Sequence, residues 1–426
     1  MTAKLLIGVF FVLLAMGMPI YLVLGTSAGI LFAASGEPLI GVAQKMLDEL
    51  NNTLLLAVPF FVMAASFMQR GGVAKALIDM AAAWFGWLRG GLGIVTVVAC
   101  AVFAAICGSS VATALAMGTV LIPAMVGRGY TPAFANGVVA ASGTLGILIP
   151  PSLPLILFAI IAEESVPRLF LAGIIPGLLQ AGLFIGWIMF YARKVDLPRE
   201  PAMDFSAFLQ VNLNALPAML LPLIIAVGIY GGFVTATEAA VLAAAVALLI
   251  SLFYYKGFHW TETLQVIGES IRNAGTIMII IATALAFGHW ITESGVPAGL
   301  VRWIIDNGFS AWQFLLFINV MLLVLGMFLE VASIMLITMP ILVPVLKPLG
   351  IDPVHFAIMV TINMELALLT PPVGLNLFVL ASVSNTPIKT VIKGVVPFVL
   401  LMFVLLAVVT YVPIISLWLP NLVYGG

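Results

Sequence analysis

Apolar segments about as long as a membrane-spanning helix follow one another along the whole of this sequence. Of its 426 residues, 63% are hydrophobic and only 8% are charged, whereas a soluble domain carries about 25% charged residues. A chain this apolar cannot form a surface that is compatible with water, so we expect lipid to be its solvent. The sequence therefore predicts an all-α polytopic membrane protein.

Several classes of function are disfavoured by the sequence. Its 16 lysines and arginines form no basic cluster, which argues against a nucleic-acid partner. His259, His289 and His355 are too far apart to give a metal-ligand spacing. Cys100 and Cys107 are best explained as small apolar residues. The sequence contains no G-x-x-x-x-G-K-[ST] motif, so we expect no ATPase site in this chain.

The two halves of the sequence share prolines and glycines at a constant spacing of 221 residues. The matched pairs are Pro123 with Pro344, Pro132 with Pro353, Pro150–Pro151 with Pro371–Pro372, Gly173 with Gly394, and Pro176 with Pro397. So many matches in one register and in the same order are hard to obtain by chance. Internal duplication with helices interrupted at equivalent places is typical of secondary transporters, which use an ion gradient.

The duplication divides the chain into two repeats. We predict a first repeat at 1–193, a cytoplasmic linker at 194–213 and a second repeat at 214–426. Each repeat is expected to contain a re-entrant hairpin followed by a helix that a Pro-Pro pair breaks. These elements are predicted at 91–126 and 132–165 in the first repeat, and at 311–346 and 353–386 in the second.

The distribution of charge predicts the orientation in the membrane. If the hairpins do not cross, each repeat has five crossings, an odd number, so the two repeats are inverted. With the N-terminus outside, 11 of the 16 lysines and arginines fall on the inside, in agreement with the positive-inside rule. We therefore predict that both termini are periplasmic. Amphipathic stretches at 38–49 and 263–275 are expected to lie at the interface, and 394–418 to form the last span.

The first hairpin and the first broken helix carry glycines and hydroxyl side chains where the chain is expected to leave the helix. The hairpin tip is Gly108-Ser109-Ser110, and the break is Ser142-Gly143-Thr144-Leu145-Gly146. Non-helical backbone at membrane depth must be buried in protein or line a cavity. Its free carbonyls, together with the hydroxyls, would form an oxygen cage that suits sodium. We predict sodium ligands at Gly108, Ser109, Ser110, Gly143, Thr144 and Gly146.

The second repeat has acidic residues in its corresponding segments. Its hairpin tip, Leu329–Ser333, includes Glu330, and its break is predicted at Glu365–Thr370. Ionisable groups at membrane depth are costly and are therefore functional candidates. We predict further sodium ligands at Glu330, Ser333, Thr370 and Gly374. Because helix N-termini carry partial positive charge that can face an anion, we predict substrate contacts from Ser109, Ser110, Thr113, Thr144, Ser333, Thr370 and Asn376.

Kinked helices without any binding site would give the same pattern of residues, because buried Ser and Thr hydroxyls can bond back to the backbone. Two further classes of protein fit the sequence less well. An intramembrane enzyme would need a nucleophile with a nearby base, and neither predicted site contains a His, so we expect no enzyme. An open channel fits inverted repeats with broken helices less well than alternating access does.

Four motifs resemble the DctM-type large subunit of the tripartite ATP-independent periplasmic (TRAP) transporters. They are Gly-Ser-Ser-Val-Ala-Thr-Ala at 108–114, Gly-Ile-Leu-Ile-Pro-Pro-Ser at 146–152, Phe-Val-Thr-Ala-Thr-Glu-Ala-Ala at 233–240 and Leu-Thr-Pro-Pro-Val-Gly-Leu-Asn at 369–376. The resemblance extends over essentially the whole chain. It implies a scaffold domain, a transport domain that moves as an elevator, and co-transport of at least two sodium ions.

The resemblance also implies partners and a location. A separate small membrane subunit of the DctQ type would brace the scaffold, and a periplasmic DctP-type binding protein would deliver the substrate. The expected location is the bacterial cytoplasmic (inner) membrane, where the helices contact membrane lipid. The substrate would be an organic acid anion, and we favour sialic acid or a related sugar acid over a C4-dicarboxylate. The alternative is a stand-alone sodium-coupled dicarboxylate or anion carrier without a binding protein.

Overall fold

A computed structural model describes residues 10, 12–13, 16–34, 36, 38, 40–195, 197, 199, 201, 203–293 and 295–425. All the regular structure in this part of the chain is helical, as predicted. Within the described residues, seven helical segments are long and apolar enough to cross a membrane, namely Thr53–Arg70, Ser110–Gly127, Val166–Val195, Phe205–Tyr230, Ala236–Tyr254, Trp260–Thr292 and Ile388–Tyr411. The chain is therefore a multi-pass membrane protein.

Nine α-helices are described before the polar linker. They are α1 (Ile20–Ala34), α2 (Ile40–Leu50), α3 (Ala57–Arg70), α4 (Val73–Phe85), α5 (Gly91–Cys107), α6 (Ser110–Gly127), α7 (Pro132–Thr144), α8 (Leu153–Ala162) and α9 (Val166–Val195). A 3-10 turn at Thr53–Leu56 separates α2 from α3, and another at Leu145–Ile147 follows α7.

Ten α-helices are described after the linker. They are α10 (Phe205–Tyr230), α11 (Ala236–Leu249), α12 (Thr263–Glu293), α13 (Val296–Asp306), α14 (Ala311–Gly326), α15 (Val331–Leu346), α16 (Pro353–Leu368), α17 (Leu375–Val383), α18 (Ile388–Tyr411) and α19 (Ile414–Tyr424). The start of α11 is fixed by the capping box of Thr235 and Glu238, a Thr-x-x-Glu pattern that is typical of a helix start.

Two hairpins, α5–α6 and α14–α15, have tips that are fixed by their own side chains. At the first tip Gly108 has a φ of 61°, a left-handed conformation that glycine adopts without steric cost. Ser109 then caps α6, its hydroxyl accepting from the Ala112 N–H. At the second tip Glu330 caps α15, its carboxylate accepting from the Ser333 N–H. Both caps satisfy backbone donors that a helix start leaves unpaired.

Two interrupted helices follow the hairpins. The first is α7, which ends at Thr144 and is separated from α8 by the 3-10 turn and a cis Pro150–Pro151 bond. The second is α16, which is separated from α17 by a cis Pro371–Pro372 bond and by Gly374 at a φ of 49°. Because proline lacks an N–H, each pair of prolines stops the ladder of helical hydrogen bonds.

Four sequence predictions differ from the observed helices. The stretch 263–275 is not a separate interfacial helix, because it forms the first part of the uninterrupted α12. The run 394–418 is divided between α18 and α19 around Pro413. Glu365 lies inside α16 rather than in the break, since that helix continues to Leu368. Both ends of the predicted linker at 194–213 are helical, because α9 continues to Val195 and α10 begins at Phe205.

Helices α7 and α18 cross with their backbones in close approach. A Cβ added at Gly394 would lie only 1.8 Å from the Ala133 carbonyl oxygen, and one at Gly137 would lie 2.2 Å from the Gly394 carbonyl oxygen. Small residues allow this backbone approach in membrane proteins. The crossing ties the first broken helix of the chain to the last long one, so it fixes how the two halves pack together.

Candidate functional site

The two hairpin tips face the same cavity. Gly108, Ser109 and Ser110 line it from the first tip, and Glu330 lines it from the second. The helix breaks contribute apolar residues, among them Ile147 and Leu153 from the first break, and Leu368 and Leu375 from the second. The cavity has a volume of about 90 Å³, which is enough for several water-sized groups. Four predicted site residues are thus brought together.

The first tip is locked against the first break. The Leu153 N–H donates to the Gly108 carbonyl at 3.4 Å, and the Thr113 hydroxyl donates to the Ser109 carbonyl at 2.8 Å. A Cβ added at Gly146 would lie 2.6 Å from the Ser109 carbonyl oxygen and 2.8 Å from the Thr113 hydroxyl. Oxygen atoms of the tip therefore lie directly against the backbone of the break, as a compact cation cage would require.

Asn376 joins the second break to the first tip. Its Nδ2 donates to the Ser110 hydroxyl at 2.7 Å and lies 3.5 Å from the Ala140 carbonyl oxygen. The side chain is fully buried, and its Oδ1 has no hydrogen-bond partner among the described residues. A buried polar atom without a partner is costly, so this oxygen is a candidate ligand for a cation or for a polar group of the substrate.

Thr144 belongs to a second buried polar group. Its hydroxyl donates to the Ala141 carbonyl at 2.8 Å and accepts from Gln180 Nε2 at 3.0 Å. The fully buried Glu365 lies beside Gln180, close enough for an electrostatic contact, but no described residue gives its carboxyl oxygens a well-aligned hydrogen bond. Gln180 is absent from the sequence-based candidates. Gln180 could have been identified from the sequence, because it is the one strongly polar residue between Arg168 and Tyr191.

The remaining predicted site residues lie close to these groups without lining the cavity. The Thr370 hydroxyl donates to the Leu366 carbonyl at 2.7 Å, Gly143 packs against Ala114, and Ser333 is buried in the first turn of α15. The hydroxyls of Thr113, Thr144 and Thr370 therefore bond back to backbone carbonyls, as the alternative of a kinked helix without a binding site predicts. It does not exclude them as ligands, since a hydroxyl that donates keeps lone pairs of its own.

The cavity is lined mostly by apolar side chains, and its few polar side chains carry oxygen atoms. They are the hydroxyls of Ser109 and Ser110 and the carboxylate of Glu330. Among the residues that the structure describes, no group of three or more His, Cys, Asp or Glu side chains could hold a metal ion. The arrangement suits an alkali cation held by mostly neutral oxygens at the ends of interrupted helices.

Comparison with known proteins identifies the family. The family described as "Tripartite ATP-independent periplasmic transporter, DctM component" matches residues 7–415. The chain belongs to the DctM family. DctM proteins are subunits of transporters, so this chain is a transport protein and not an enzyme.

Named relatives cover nearly the whole DctM-family chain. The C4-dicarboxylate TRAP transporter large permease protein DctM of Pseudomonas aeruginosa is 43% identical over 380 residues, which are 89% of each chain. The Rhodobacter capsulatus protein of the same name is 40% identical over 99% of each chain. The sialic acid TRAP transporter large permease protein SiaM of Vibrio cholerae is 33% identical over 95% of this chain and 93% of SiaM.

A solved structure shares the fold of this DctM-family chain. The similarity to Neisseria gonorrhoeae MtrF, described as illuminating a class of antimetabolite efflux pumps, has a TM-score of 0.64. It covers 89% of this chain and 84% of MtrF at 12% identity. A likeness at this identity shows the fold alone.

Proposed function

We propose that this chain is the membrane transport subunit of a sodium-coupled TRAP transporter that imports a C4-dicarboxylate or a similar small organic acid anion. The observation that carries the proposal is that both hairpin tips, at Ser109 and Glu330, line the same cavity beside both helix breaks. Interrupted helices that meet near the middle of the membrane are where secondary transporters hold substrate and coupling ions.

The substrate proposal changes the sequence-based preference for sialic acid. The two relatives named for C4-dicarboxylates are 43% and 40% identical to this chain, and the relative named for sialic acid is 33% identical. Greater identity over comparable coverage favours the shorter dicarboxylate. The proposal therefore takes a C4-dicarboxylate as the first substrate to test and sialic acid as the second.

The proposed sodium ligands and the proposed inverted repeats support each other. Ser109 and Glu330 cap the second helices of the two hairpins and are 221 residues apart, and Thr144 and Glu365 have the same separation. Equivalent positions thus carry oxygen side chains in both halves, a hydroxyl in the first and a carboxyl in the second. At least two sodium ions, one at each tip, fit this duplication.

The proposed partners and location follow from the family. A small DctQ-type membrane subunit would brace the helices that stay fixed, and a periplasmic DctP-type protein would deliver the anion. The complex would sit in the bacterial inner membrane with both ends of this chain in the periplasm. A stand-alone carrier is the alternative, and the need for a soluble binding protein distinguishes the two.

Uptake by the reconstituted complex tests this function. We expect proteoliposomes that contain this chain and its small subunit to accumulate a radiolabelled C4-dicarboxylate only with an inward sodium gradient and a DctP-type protein outside. Replacing sodium by potassium is the control for coupling. Uptake without any binding protein would identify a stand-alone carrier, and uptake that is indifferent to sodium would refute the coupling proposal.

Cysteine labelling tests the proposed movement and orientation. In a background in which Cys100 and Cys107 are replaced by alanine, we expect Val111→Cys and Ala332→Cys, which line the same cavity, to change accessibility together. Both should label from the cytoplasmic side in one of the two sodium states and be shielded from that side in the other, because an elevator carries both tips across the membrane together. Lys194→Cys should label from the cytoplasmic side only. Tips that label equally in both states would contradict the elevator.

A further inference from the structure

Three arginines converge on one pocket at the C-terminal end of α9. Arg89, in the turn between α4 and α5, Arg193, in the last turn of α9, and Arg199 line it together with Trp87 and Met189. The pocket has a volume of about 360 Å³, and none of the described residues that line it is acidic. Guanidinium groups bind phosphate oxygens in pairs of charge-assisted hydrogen bonds, so the pocket is suited to a phosphate-bearing anion.

An apolar groove continues from this pocket along the same helix. Its residues are Leu178, Leu179, Gly182, Leu183, Gly186, Trp187 and Phe190 of α9, with Leu401 of α18. A Cβ added at Gly182 or Gly186 would meet nothing within 4 Å, so both glycines leave the floor of the groove open. Phe190 of the groove and Arg193 of the pocket are three residues apart on α9, so they lie on the same face of the helix, and the groove leads toward the pocket.

The dimensions of the pocket and the groove match one lipid in one leaflet. From Gly182 to Arg193 the helix rises about 16 Å at 1.5 Å per residue. Half of the hydrocarbon core of a bilayer is about 15 Å thick. In the proposed orientation the arginine end faces the cytoplasm, where anionic lipids attract basic residues. Trp87 is half exposed beside the arginines, as is typical of an aromatic side chain at headgroup level.

We propose that α9 carries a binding site for one anionic phospholipid of the cytoplasmic leaflet. The phosphate binds Arg193 and Arg199 in the pocket that Arg89 also lines, and one acyl chain lies in the groove over Gly182 and Gly186. The apolar groove beside the pocket favours a lipid over a free phosphate ion, because a phosphate ion has no apolar part that could bind in the groove. The site is separate from the cavity at the hairpin tips and shares no residue with it.

Lipid binding to the purified protein tests the site. In native mass spectrometry from detergent, we expect phosphatidylglycerol to bind at least about 10-fold more tightly than phosphatidylcholine, because both lipids carry a phosphate but the arginines repel the choline ammonium of phosphatidylcholine. The double variant R193Q/R199Q should lose about 10-fold or more of that affinity, and G182L/G186L should lose it by filling the groove. The matched controls R272Q and G275L, at exposed or open positions of α12, should bind as the wild type does.

Three results would overturn the proposal. The first is equal binding of phosphatidylcholine and phosphatidylglycerol, and the second is unchanged affinity in R193Q/R199Q. The third is displacement of the lipid by millimolar inorganic phosphate while G182L/G186L binds normally, which would identify a free-anion site. Every variant is first checked for a wild-type elution profile and melting temperature without added lipid. If R193Q/R199Q fails that check, the affinity of G182L/G186L for phosphatidylglycerol tests the proposal.

Discussion

Replacing Gly146 by alanine is expected to raise the sodium concentration for half-maximal uptake about 5-fold to 140-fold, since overpacking costs about 1–3 kcal/mol and 1.4 kcal/mol is tenfold. The new Cβ would lie 2.6 Å from the Ser109 carbonyl oxygen and 2.8 Å from the Thr113 hydroxyl. Both atoms belong to the hairpin tip, so the tip must move away from the break. An oxygen cage formed between the two would then open.

The matched control is Gly127→Ala in the same hairpin. A Cβ at Gly127 would meet nothing within 4 Å, so the same chemical change is made without a clash. Sodium dependence is measured as the initial rate of uptake against sodium concentration, in protein with an unchanged elution profile. Equal sodium dependence in G146A and G127A would remove the first tip and its break from the sodium site.

Replacing Gly394 by alanine is expected to destabilise the folded protein by about 3 kcal/mol or more, at the upper end of overpacking costs. The added Cβ would lie 1.8 Å from a backbone oxygen of α7, and backbone, unlike a flexible side chain, cannot rotate away. Helices α7 and α18 must therefore separate over their whole crossing. Thermal unfolding in detergent should show a clearly lower melting temperature.

Gly268→Ala in α12 is the control for this effect. It introduces the same methyl group where nothing lies within 4 Å, and alanine in a helix interior is favoured over glycine by about 0.5–1 kcal/mol. We expect its melting temperature to equal or exceed that of the wild type. A G394A protein as stable as G268A would show that α7 and α18 are not in backbone contact.

Features marked by proline, glycine and capping side chains could be predicted from the sequence. The Pro-Pro pairs interrupt two helices, and Thr235 with Glu238 begins α11. Each of these signals acts within a few residues, so no knowledge of the tertiary structure is needed. The boundary expected near residue 275 was wrong, because Glu269 and Arg272 change the polarity of α12 and not its backbone, which no proline interrupts.

Long-range contacts of the site could not be predicted in the same way. Asn376 and Ser110 are 266 residues apart and meet only when the two halves pack together. Gln180 was visible as a polar residue in an apolar run, but its neighbours Thr144 and Glu365 come from other helices. Glu365 was assigned to the break because prolines follow it, yet α16 keeps its hydrogen bonds for one more turn.

Because α12 is a single uninterrupted helix, the two halves of the protein differ in stiffness. Its 31 residues form a rod about 46 Å long, whereas the 3-10 turn at Thr53–Leu56 puts a joint between α2 and α3. Glu269 on this rod pairs with Arg70 at the end of α3, and the rod also packs against hairpin helix α15. A displacement of the ion pair is therefore transmitted to the second hairpin by an uninterrupted helix. In the first half, the same displacement can be taken up by bending at the 3-10 turn.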